Sequence, residues 1–140
     1  MAEQAAIGQM QFALMIYGTA LDMEALDAQL ALTHTRCVRK GDVLNRLPRL
    51  EATEDLWAVE IALSNPEGTD EELNALLATL TAHRDALAAL SQTCRVLLRM
   101  YVHSDRAQIA YRLMPETLQR LCETGLPLDV TSLSWGEIGL

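Results

Sequence analysis

Lysine is all but missing from this 140-residue sequence. Lys40, inside "VRKGD" at 38–42, is the only one, and arginine supplies every other fixed positive charge. Aromatics are scarce as well, with one Phe, two Trp and three Tyr, so a core has to be assembled mainly from Leu, Ala, Val and Met. No run of 18 apolar residues occurs, which excludes a membrane-spanning helix in this sequence. The opening "MAEQAAIGQMQFALMIYG" has no basic stretch ahead of its apolar one and reads as a strand rather than as a secretory signal. Cysteine is limited to Cys37, Cys94 and Cys122, an odd and scattered set. A disulfide framework is therefore not expected. Reduced thiols buried as small core residues in a cytoplasmic protein are.

Positive charge is also missing locally. From 50 to 83 there is no Lys or Arg, while Glu51, Glu54, Asp55, Glu60, Glu67, Asp70, Glu71 and Glu72 fall there. The whole chain carries a formal net charge of -8. A nucleic-acid partner, which calls for a basic face, is not expected. The acidic stretch reads as a solvated surface that aids solubility, or as a surface that steers a basic protein partner.

Half of the residues are hydrophobic, which excludes general disorder, and the length of 140 residues predicts a single domain over 1–140. "QFALMIY" (11–17) reads as a buried strand ending at Gly18. "DMEALDAQL" (22–30) reads as a helix with Asp22 and Glu24 in its first turn. Thr33–Asp42 predicts a strand leading into a loop, and Val43–Asp55 reads as loop. Leu56–Leu63 alternates as a strand, with Trp57, Val59, Ile61 and Leu63 on one face. After "SNPEG", Thr69 and Glu72 form a capping box, and a leucine period runs on as one helix to Leu90. Cys94–Val102 and Ala107–Leu113 alternate as strands joined by a hairpin at "HSDR". Pro115 opens a helix that Gly125 closes. Leu126–Thr131 is a last strand, with an irregular tail from about 132 that includes Trp135. The order implies an α+β two-layer sandwich: a mostly antiparallel sheet with two to three helices packed on one face. The uncovered face would present Glu60, Arg95, Arg99, Gln108 and Arg112.

Chemistry-bearing motifs are few. His34 and Cys37 are three apart in a predicted strand, which points them to opposite faces and makes them poor joint ligands; no metal site or cofactor is expected. There is no Gly-x-Ser-x-Gly elbow, no cysteine with a local activating signature, and Gly41 stands outside any phosphate-cradling loop. An enzyme is not expected.

Four features, taken in order, carry a resemblance: "RKGD" at Arg39–Asp42, a strand bearing Trp57, the leucine helix from Glu71 to Leu90, and the closing "PETLQRLCETGLPLDV" at Pro115–Val130. Together they make the chain similar to the bacterial family catalogued as domain of unknown function 4279, from Phe12 to about Thr131. Two positions depart from the family's pattern: Met114 stands where a helix-capping residue is usual, and Ser132 where an aromatic is. The resemblance implies a small α/β protein and brings no catalytic residues with it. It also implies likeness to immunity proteins encoded beside secreted toxins. The leading expectation is thus a non-catalytic immunity protein that binds and neutralises a cognate, basic, nuclease-type toxin. Its contact region would comprise Glu51, Glu54, Asp55, Trp57, Glu67, Asp70, Glu71 and Glu72. The alternative is a module that binds a small anionic ligand through Arg95, Arg99 and Arg112.

Overall fold

The computed structural model describes residues 9–44, 50–63, 71–106 and 112–137. Its elements run β1 (Gln9–Gly18), α1 (Met23–Leu30), β2 (Arg36–Val38), β3 (Val43–Leu44), β4 (Leu50–Glu51), β5 (Asp55–Ala62), α2 (Glu71–Ala82), α3 (Arg84–Leu90), β6 (Arg95–Arg106), α4 (Pro115–Glu123) and β7 (Leu128–Glu137). This is an α+β fold. Five strands form one sheet in the order β2-β5-β1-β6-β7, and β3 with β4 makes a separate two-stranded ribbon.

The strand β1 is central because its sequence suits burial on both sides. Phe12, Leu14 and Ile16 point one way, Ala13 and Met15 the other, and all five are buried. It pairs antiparallel with both β5 and β6. β2 adds antiparallel to β5, whereas β7 lies parallel to β6. A parallel partner needs a crossover connection, and α4 supplies it.

The main core forms where Phe12, Leu14, Ile16, Trp57, Val59, Leu98 and Met100 meet the leucines of the helices, among them Leu26, Leu73, Leu77, Leu80, Leu87 and Leu121. On the other face of the sheet, Ala13, Met15, Leu56, Ala58 and Leu97 form a second, smaller apolar cluster. Helices thus cover one face and leave the other without a helical layer among the described residues, as the pattern of residues implied.

The helix ends follow from local chemistry. Asp22 caps α1 by accepting the Ala25 N–H at 3.1 Å, a contact that satisfies one of the free amides of the first turn. Pro115 opens α4, and Gly125 follows its end with a φ of 74°. Met114 precedes Pro115 with no side-chain cap, in keeping with its apolar side chain.

Five expectations need correction. The leucine helix is not continuous: it breaks at His83, whose Nδ1 meets the Thr79 carbonyl at 2.9 Å. The described residues consequently hold four helices rather than two to three. The expected hairpin at "HSDR" lies inside β6, which keeps its parallel pairing to β7 through Ser104 and, past an irregularity, Arg106. Arg112 and Leu113 are not in a strand, and 107–111 fall outside the described residues. The tail is not irregular from 132, since β7 runs to Glu137 and includes Trp135. The supposed loop after Asp42 contains the β3–β4 ribbon. Finally, Cys37 and Cys122 are exposed, and only Cys94 packs against the core. The capping box drawn from Thr69 lies outside the described residues.

Candidate functional site

The turn that contains the lone lysine is tied down on every side. Asp42 accepts the Arg39 N–H at 2.8 Å and returns its own N–H to the Arg39 carbonyl at 2.9 Å. Gly41, at φ 94°, donates to the Ala52 carbonyl at 2.8 Å. Behind the turn sits Asp55, buried at the start of β5. Its carboxylate accepts the Lys40 N–H at 2.8 Å, the Leu21 N–H at 2.9 Å and the Arg39 guanidinium at 3.1 Å. Arg39 also donates to the Leu21 carbonyl at 2.6 Å. The Lys40 amide first, then the Leu21 amide, hold the Asp55 carboxyl below its ordinary value, with Arg39 adding to them against the opposing effect of burial. This is a structural knot joining the end of β1, the β2 turn and β5.

A second carboxylate does similar work. Asp27 on α1 accepts Trp57 Nε1–H at 2.8 Å, His34 N–H at 3.1 Å and contacts His34 Nδ1 at 2.9 Å. The His34 ring is the main reason its carboxyl lies below the ordinary value, helped by Trp57 and opposed by burial. A histidine against an aspartate is also half of a catalytic relay. Among the described residues, however, His34 makes no hydrogen bond to a Ser, Thr or Cys. Nor do three His, Cys, Asp or Glu side chains gather among them to hold a metal ion.

The open face of the sheet is different in kind. Strand register sets Glu60, Ala13 and Arg99 side by side across β5, β1 and β6, and Asp129 of β7 continues the row. The next row holds Arg36, Ala58, Met15 and Leu97. Because Ala13 is small, a depression opens between the longer side chains. It has a volume of about 340 Å³, with Arg36, Glu60, Arg99 and Tyr101 around it, within the size range of small-ligand sites. Arg36 Nε lies 3.4 Å from Glu60. Arg99 has a buried Nε with no hydrogen-bond partner. An unsatisfied buried donor is costly and uncommon in folded proteins.

Comparison with known proteins adds one finding. The family described as domain of unknown function 4279 matches residues 8–135. The chain belongs to the DUF4279 family. No curated protein and no solved structure matches it. In this DUF4279 chain the "RKGD" signature is the turn that closes over Asp55, and the tryptophan-bearing strand is β5. No described helix is long and apolar enough to cross a membrane.

The residues singled out from the sequence distribute unevenly. Glu51 is exposed on β4, and Glu71 and Glu72 are exposed in the first turn of α2. Glu54 is half-buried and paired with Arg95 at 2.9 Å. Asp55 and Trp57 are buried, their polar atoms committed internally, so neither is presented to a partner. Glu67 and Asp70 lie outside the described residues. Of the three arginines, Arg99 alone lines the depression. Arg95 is held by Glu54 and lies 4.3 Å above the Tyr17 ring centroid, and Arg112 is exposed ahead of α4. Arg36 was missed: its place in the alternating piece from 33 to 42 was a weak signal, and its position beside β5 is set by strand pairing.

Proposed function

We propose that this DUF4279 protein acts by binding rather than by catalysis, and that the open face of its sheet takes a small ligand carrying an oxyanion group. The observation that carries this reading is Arg99: a guanidinium with a buried, unpartnered Nε, beside a cavity of about 340 Å³. A carboxylate or phosphate arriving there gains charge-assisted hydrogen bonds from a donor that folding has already drawn out of water. Thermal denaturation against a panel of small carboxylates, phosphates and amino acids tests it. A ligand present at about 100 times its Kd stabilises the fold by about 2.7 kcal/mol, and Arg99→Gln removes that stabilisation while Arg95→Gln and Arg112→Gln keep it. Equal stabilisation of wild type and Arg99→Gln by every ligand defeats the reading.

A second reading, neutralisation of a cognate basic toxin in the cytoplasm, is supported by the net charge of -8 and by exposed Glu51, Glu71 and Glu72. Long-range attraction acts mainly on the association rate. Affinity capture from the native bacterium, eluted with moderate salt, recovers one basic protein in stoichiometric amount if this reading holds. Reversing Glu51 and Glu71 to Lys then slows association; an unchanged rate removes the acidic surface from the account.

A further inference from the structure

The row Glu60, Ala13, Arg99 contains an anion and a cation that face one cavity without meeting. Adjacent strands are about 4.8 Å apart, so the two backbones stand about 10 Å from one another, within reach of two long side chains. They form no ion pair. Glu60 turns instead to Arg36 at 3.4 Å, with 27% of its side chain exposed against 45% for Arg36. That separation is long for a charge-assisted hydrogen bond, and a pair so open to water is weak.

The charges around the cavity also balance. Arg36 and Arg99 face Glu60 in the depression, and the exposed Asp129 flanks Arg99 from β7. A bare anion approaching Arg99 meets two carboxylates as it arrives. A bare cation approaching Glu60 meets two guanidinium groups. Resting on the open-face reading above, we infer that the ligand is a small zwitterion of the amino-acid type. Its carboxylate lies on Arg99 and its ammonium on Glu60, bridging the gap above Ala13. Its side chain rests on the apolar floor around Met15, next to Tyr101.

Three probes built on one apolar body separate the possibilities: phenylalanine, 3-phenylpropionate without the ammonium, and phenethylamine without the carboxylate. Titration calorimetry gives the affinities, and amide chemical-shift changes at Ala13, Glu60 and Arg99 place the binding. Phenylalanine is expected to bind at least tenfold tighter than either truncated probe. Glu60→Gln reduces phenylalanine to the level of phenylpropionate without weakening phenylpropionate, while Arg99→Gln reduces it to the level of phenethylamine. Both positions lie on the helix-free face, and a melting curve for each variant verifies folding. If phenylpropionate binds as tightly as phenylalanine and depends on Arg99, the zwitterion is wrong and the open-face reading stands. If none of the three binds, the zwitterion is wrong and the open-face reading is left to the wider carboxylate and phosphate panel; if binding ignores Arg99→Gln, both fall.

Discussion

Lys40 and Asp55 meet through a backbone amide, and the consequence can be measured. The Lys40 side chain takes no part in the knot, so Lys40→Ala is expected to change stability by less than about 0.5 kcal/mol. Lys40→Pro removes the N–H that Asp55 accepts at 2.8 Å and is expected to be the most damaging change in the turn. Arg39→Lys is not conservative, because Arg39 spans the Leu21 carbonyl and Asp55 with one guanidinium. The same knot sets an acid dependence. The Asp55 carboxyl is lowered from 3.8 in the folded state, chiefly by the Lys40 and Leu21 amides, and Asp27 likewise by His34. A depressed folded value means that the stability is present above the unfolded value and is lost as pH falls through the folded one. Urea melts between pH 7 and pH 3 should therefore show Asp55→Asn least stable relative to wild type at neutral pH, with the gap closing below about pH 4. A gap that stays constant across that range would show that the charge of Asp55 is not what the site uses.

At the scale of elements, two turns invite reciprocal changes. Ala31 ends α1 at φ 54°, exposed, while Gly41 sits at φ 94° with nothing within 4 Å of the place a Cβ would occupy. The left-handed region costs a non-glycine residue about 1–2 kcal/mol, set against the extra freedom glycine loses on folding. Ala31→Gly should stabilise by about 0.5–1 kcal/mol, and Gly41→Ala should destabilise by a similar amount, both read from denaturant midpoints. These elements also show what sequence makes legible. β1, α1, β5 and α4 declare themselves, because each carries an apolar run, an apolar period or a terminal residue such as Pro115 within its own residues, although Asp22, read as part of the first turn of α1, is its N-cap. The break at His83 does not, since leucine spacing continues across it. The length of β6 is equally hidden: "HSDR" has turn composition, and its partner β7 holds it extended. The site follows the same division. Arg99 was visible from alternation, whereas its pairing with a gap above Ala13 depends on register across three strands.

For the molecule as a whole, the layering predicts where the fold opens. β1 has neighbours on both sides and burial on both faces, while β2 and β7 are the ends of the sheet. Native-state hydrogen exchange should find the β1 amides near Phe12–Ile16 opening only with global unfolding, and those of β2 and the outer side of β7 exchanging through local events. Equal protection in β1 and β2 would contradict the layering. The placement of β1 also has a consequence in time. Its partners β5 and β6 come from the middle and the later part of the sequence, and α1, α2 and α3 intervene before both ladders are complete. Such long closures must be made before their contacts reward them, which slows folding relative to a helical bundle of the same size. Until β6 arrives, β1 and β5 together offer an unpaired apolar edge, the kind of surface on which chains associate. Refolding yield should therefore fall as protein concentration rises, even where the folded protein is fully stable.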